Sequence, residues 1–107
     1  MTTFDKREEG FERQFAHDEE LRFKAIARRN KLLGNWAADK LDLSGAEADA
    51  YAKEVVMSAF DESGEDSVFR KIRADFDAKG VGQSDHQIRR TMDDLMAQAV
   101  AQIKVSG

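Results

Sequence analysis

Proline is absent from all 107 residues, and apolar side chains return every three or four positions through most of the chain. Together these features constrain the fold more than any other. Proline is the strongest helix breaker, so without it helical segments can end only at glycines and caps. Isoleucine and tyrosine are sparse, whereas alanine, glutamate and lysine recur. That balance favours helix over strand. The expected fold class is all-α, a four-helix bundle with a flexible N-terminal arm.

The expected helices span about 18–41, 45–61, 66–79 and 85–104. Asp18 is a plausible N-cap for the first, with Glu19 and Glu20 in the first turn, where negative charge suits the helix dipole. This helix carries two apolar stripes on separate sides. One is Phe23, Ile26, Ala27, Leu33, Ala37 and Leu41; the other is Leu21, Ala25, Leu32 and Trp36. Such a helix either sits between two neighbours or shows one side to a partner. Arg22 and Arg29 lie between the stripes, where their stems can be buried.

Ser44-Gly45-Ala46-Glu47 matches the capping-box pattern at the start of the second helix. Ala48, Tyr51, Ala52, Val55 and Ala59 form its face, broadened by Val56 and Phe60, and its alanines would let a neighbour approach closely. Phe69, Ile72 and Phe76 make the third stripe, with Val68 beside it. Lys79-Gly80 is a good stop signal. Ser84-Asp85-His86-Gln87 is a second capping box, and Ile88, Met92, Leu95, Met96, Ala99 and Ile103 give the cleanest amphipathic face. The links are short, which favours antiparallel neighbours in an up-and-down or irregular bundle.

Residues 1–17 differ from the rest. Phe4, Phe11 and Phe15 recur at i, i+7, i+11, on one face of a helix. Gly10 interrupts that helix and costs it about 1 kcal/mol relative to alanine. A helix this short is marginal in water. The expected division is therefore an arm over 1–17, helical only when its aromatic face is buried, and a four-helix domain over 18–107. In the competing arrangement the rings fold back onto the bundle.

Function classes narrow by exclusion. There is no cysteine, so disulfides and thiol chemistry are out. No secretory signal and no apolar run of membrane-spanning length is visible. A net charge of −4 disfavours nucleic acid as a partner. His17 and His86 are far apart, and no di-iron, metalloprotease, P-loop or EF-hand spacing occurs. The expectation is a non-enzyme in the cytoplasm, without metal or cofactor and without membrane insertion. Lys24, Arg28 and Lys31 line one face at i, i+4, i+7 and could receive a phosphate or an acidic surface. A solvated row is the commoner outcome. Trp36 is either core or a secondary contact.

Several runs are similar to a known family: Phe15-Ala16-His17-Asp18-Glu19-Glu20-Leu21-Arg22-Phe23-Lys24, Ala27-Arg28-Arg29-Asn30-Lys31-Leu32-Leu33-Gly34, Trp36-Ala37-Ala38, Ala50-Tyr51-Ala52-Lys53-Glu54-Val55-Val56, and Arg73-Ala74-Asp75-Phe76-Asp77-Ala78-Lys79-Gly80. In this order, over roughly residues 3–103, the chain resembles the zeta subunit of alpha-proteobacterial F-type ATP synthase. The resemblance implies an inhibitor of ATP hydrolysis by the F1 sector, peripheral to the inner membrane through the synthase. By position, the inhibitory segment is about 3–15, wedged at a catalytic alpha–beta interface beside gamma. Phe4, Phe11 and Phe15 would be its buried anchors, and Lys6, Arg7 and Arg13 would pair with acids and steer docking. The alternatives are a helical adaptor working through Leu21, Leu32 and Trp36, and a weak nucleotide or small-ligand sensor using Lys24, Arg28 and Lys31. A bundle enzyme ranks last.

Overall fold

The computed structural model describes residues 19–60 and 64–106, with side chains described to residue 104. The arm over 1–17, with Phe4, Phe11 and Phe15, lies outside the described residues. Four helices follow in order: α1 (Glu19–Lys40), α2 (Gly45–Ser58), α3 (Glu65–Lys79) and α4 (Asp85–Ser106). Among the described residues there is no strand.

Each helix runs antiparallel to the next, and the last returns to the first. Gly34 meets Ala52 across the α1–α2 hairpin. Tyr51 Oη donates to Asp75 across α2–α3 at 2.8 Å, and Arg73 reaches Asp85 across α3–α4 at 3.0 Å. Arg28 donates to Gln102 at 3.0 Å, which pairs the start of α1 with the end of α4. This is the up-and-down bundle. α1 lies between α2 and α4 and makes the most extensive contacts with both.

The main core gathers Leu33, Ala37, Leu41, Val55, Ile72 and Phe76 with Ile88 and Met92. A smaller cluster joins Ala25 of α1 to Ile103 of α4, flanked by Leu21, Met96 and Val100. The α4 face matches its periodicity, with Ile88, Met92, Ala99 and Ile103 all buried.

The ends of the helices test the cap signals. Ser84 and Gln87 make both bonds of the capping box: the Gln87 amide donates to Ser84 Oγ at 3.1 Å, and the Ser84 amide donates to Gln87 Oε1 at 2.8 Å. Gly80 closes α3 in the left-handed conformation, φ +70°, as a C-terminal glycine should. The box at Ser44 does not form. Ser44 stands at the N-cap with extended backbone, but its side chain makes no capping bond. The next residue, Gly45, is left-handed, so the chain enters α2 by a different path. α2 ends at Ser58, short of the expected Asp61, where Ser58 Oγ donates back to the Val55 carbonyl at 2.6 Å.

Three assignments of side chains to faces are corrected. Phe23 and Phe60, each expected on an apolar stripe that packs, are 57% and 62% exposed. Val68 is fully buried, whereas Phe69 is half-buried and holds the Arg89 guanidinium 3.9 Å from its ring centroid. Arg29 buries its whole side chain, not only its stem. Its Nε donates to Asn30 Oδ1 at 2.7 Å, and its guanidinium forms an ion pair with Glu65 at 2.8 Å. A buried guanidinium is tolerable only when it is paired and hydrogen-bonded, and both conditions are met.

Candidate functional site

Lys24, Arg28 and Lys31 share one exposed face of α1, as their i, i+4, i+7 spacing requires; Lys31 borders α2, and Arg28 reaches Gln102 of α4. Beside them runs a trough along α1, walled by α2 and bordered at the start of α1 by Leu21 and by Ile103 of α4. It consists of two adjoining hollows of about 530 and 630 Å³ that share Lys31 and Val56. Phe23 and Ala27 lie at the α1 N-terminal end, Asn35 and Lys53 at the other, with Met57 on the α2 wall.

The trough exists because the α1–α2 hairpin is pinched at one end and open at the other. At Gly34 a Cβ would lie 2.6 Å from the Ala52 Cα, so the two helices touch backbone to backbone. Only glycine against alanine allows that approach. Towards the free end of the hairpin the side chains enlarge to Lys31, Val56, Met57, Phe23 and Phe60, and the walls part. Phe23 and Phe60 meet across this opening with ring centroids 6.1 Å apart. Met57 is 64% exposed beside them. An aromatic pair and a methionine at the surface form an apolar patch of the kind that marks an interaction site.

Electrostatics divides the rim. Lys24 pairs with Glu20 at 3.3 Å, and Arg28 is held by Gln102. Lys31 and Lys53 have no ion-pair partner among the described residues. The trough thus has an apolar floor and two uncommitted cations.

Trp36 sits elsewhere. It is half-buried against the main core, its ring 5.6 Å from that of Phe76. The expected anchors Phe4, Phe11 and Phe15 and the expected cations Lys6, Arg7 and Arg13 lie outside the described residues. The patch of Phe23, Met57 and Phe60 was not anticipated as a surface. An aromatic at helical spacing reads as core unless the neighbouring helix is known to stop short.

On the far side of α2 a polar brace fixes the bundle. Asp75 accepts from Tyr51 Oη and from Lys71 Nζ at 3.1 Å, and Lys71 Nζ lies 5.0 Å from the Tyr51 ring centroid. Burial first, and the bond to Asp75 second, push the Tyr51 phenol well above its ordinary value. This cluster has hydrogen-bonded partners throughout and no adjoining nucleophile, so it braces α2 to α3. Among the described residues no group of three or more potential ligands could hold a metal ion, and no helix is long and apolar enough to cross a membrane.

The described residues form a small all-α body, a four-helix bundle that carries a cation-rimmed apolar trough. The chain is a member of the ATPase inhibitor subunit zeta family, whose model matches residues 1–102. No curated protein matches it. Among solved structures, one determined by solution NMR is 45% identical, with a TM-score of 0.71. The match covers 81% of this chain and 99% of that one.

Proposed function

We propose that this protein brakes ATP hydrolysis by the F1 sector of an F-type ATP synthase, and that the working part is its N-terminal segment. The single observation that carries the reading is the family match, which spans residues 1–102 and so includes the segment together with the bundle. In this reading residues 3–15 enter a catalytic alpha–beta interface beside gamma. Phe4, Phe11 and Phe15 form the buried anchors, because aromatic side chains dominate interface energetics. Lys6, Arg7 and Arg13 steer docking through long-range charge. The bundle is the mount: a folded body too large to follow the segment into the interface. A segment that orders on binding gives up entropy, which keeps its affinity adjustable.

Location follows from the partner. The protein works at the membrane's cytoplasmic face through the synthase and catalyses nothing itself. Trp36 serves the bundle through Phe76, and Lys24, Arg28 and Lys31 serve the trough.

The test is ATPase activity of the purified F1 sector, titrated with the full chain and with a chain lacking residues 1–16. The full chain should inhibit. The truncated chain should not, while keeping its helical circular dichroism. Equal inhibition by both would move the working surface to the bundle and reject the proposal.

A further inference from the structure

The trough between α1 and α2 lacks an occupant among the described residues, and three observations bear on which one it fits. First, the open end of the trough lies at the start of α1. Phe23 is one turn after Glu19, the first described residue of that helix. Eighteen residues precede Glu19, so any segment leaving α1 begins beside the patch. Second, the lengths agree. As a helix, Phe4 to Phe15 spans about 16 Å at 1.5 Å per residue, and Phe23 to Asn35 along α1 spans about 18 Å. The three residues Ala16, His17 and Asp18 suffice for a reversal between two antiparallel helices. Third, the charges match. On such a helix Glu8 and Glu12 flank the phenylalanine face on one side and Arg7 flanks it on the other. With Phe15 set beside Phe23, Glu8 comes opposite Lys31 on the α1 rim, a cation without an ion-pair partner among the described residues. Asp49, on the far rim, is available to Arg7.

We infer that residues 4–15 of this same chain dock in the α1–α2 trough, their phenylalanine face against Phe23, Met57 and Phe60. The body then stores its own effector segment. A segment held this way has fewer free conformations to lose, and its aromatic face is hidden until a better partner competes for it. The affinity seen by the target falls by the fraction of molecules with the segment undocked. Docking itself stands on the geometry above; its meaning as a store for the inhibitory segment rests on the function proposed here.

The experiment is amide hydrogen exchange on the dilute full-length protein, comparing the natural chain with Met57→Asp and with Lys31→Glu. Both positions are exposed, and helical circular dichroism confirms that each variant is folded. Amides of residues 4–15 should exchange at least about tenfold slower than in an isolated peptide of the same sequence. That protection should vanish in Met57→Asp and fall in Lys31→Glu. Adding Glu8→Lys to Lys31→Glu should restore part of it. Free-peptide exchange in the natural chain overturns docking. Protection that rises with protein concentration alongside a dimer in sedimentation also overturns it, because a second copy is then the occupant. The same variants are titrated against F1. Lost protection with inhibition at lower concentration supports storage, whereas lost protection with unchanged inhibition overturns it. Absence of inhibition by every form rejects the inhibitor function, while the exchange result still decides docking.

Discussion

The two halves of α1 face different surroundings. From Leu33 to Leu41 the helix is enclosed: Leu33, Gly34, Ala37, Ala38 and Leu41 are all buried, and α2 comes so close that Gly34 has no room for a methyl group. From Leu21 to Asn30 the same helix is covered by α4 along Ala25, while Phe23 is left at the surface. The contrast shows that apolar content does not decide burial here. The outer half carries an exposed phenylalanine and a buried arginine, and the inner half sets Gly34, Ala37 and Ala38 among buried leucines. Close backbone approach at Gly34 and Ala52 packs one half tightly, and the other half leaves Phe23 at the surface beside Met57 and Phe60.

Disrupting the enclosed half should have the largest effects. Phe76→Ala removes a fully buried ring that carries Trp36, and it should cost about 3–5 kcal/mol in urea unfolding. The fluorescence of Trp36, the lone tryptophan, would shift to the red as its support is lost. Gly34→Ala should follow. The gain in helix propensity is about 1 kcal/mol, but the methyl meets backbone at Ala52, and overpacking of that kind costs about 1–3 kcal/mol. Thermal melts should show net destabilisation, and a neutral result would mean that the α1–α2 hairpin can slide apart.

The junction between the halves is Arg29. Glu65→Ala leaves its buried guanidinium with Asn30 alone. The expected loss is about 1.5–3 kcal/mol, the range for a hydrogen bond to a charged group. Glu65 is itself 61% exposed, so a loss no larger than that of an ordinary surface acid would show that water replaces the carboxylate.

Tyr51, the one tyrosine of the chain, offers a pH test of the brace behind the hairpin. Its folded pKa is raised by burial and by Asp75. The stabilisation is therefore fully present below the unfolded value near 10 and is lost as pH rises beyond it. Phenolate absorbance at 295 nm should stay absent from the native protein above that pH and appear only with unfolding. Native titration near pH 10 would contradict the brace.

The smallest effect sharpens the comparison from the open side. In a chain lacking residues 1–16, Met57→Ser should change stability by no more than about 0.5 kcal/mol, as an exposed site does. A loss of several times that would place Met57 in the core of the molecule and close the trough.

Much of this was legible in the residues. The count of helices, the stops at Gly80 and the Ser84 capping box, and the α4 face all follow from local rules, since caps and periodicity involve residues within one or two turns. The cation row on α1 was legible for the same reason. What lay beside that row was not. Gly34 carried a signal, since a mid-helix glycine costs stability and needs a reason, but its partner Ala52 is eighteen positions away. The Ser44 box failed because the left-handed Gly45 redirected the chain.

The sequence by itself determined an all-α chain of four amphipathic helices, their approximate ends and the buried face of α4. It did so because those properties depend on spacing within a helix. Tertiary structure alone decided that Phe23 and Phe60 stay outside, that Arg29 goes inside to meet Glu65, and that α1 and α2 touch at Gly34 and diverge beyond it. Periodicity sets the angle of a side chain about its own axis. Whether another helix lies at that angle depends on distances between axes, and those are set by the side chains of both partners at once.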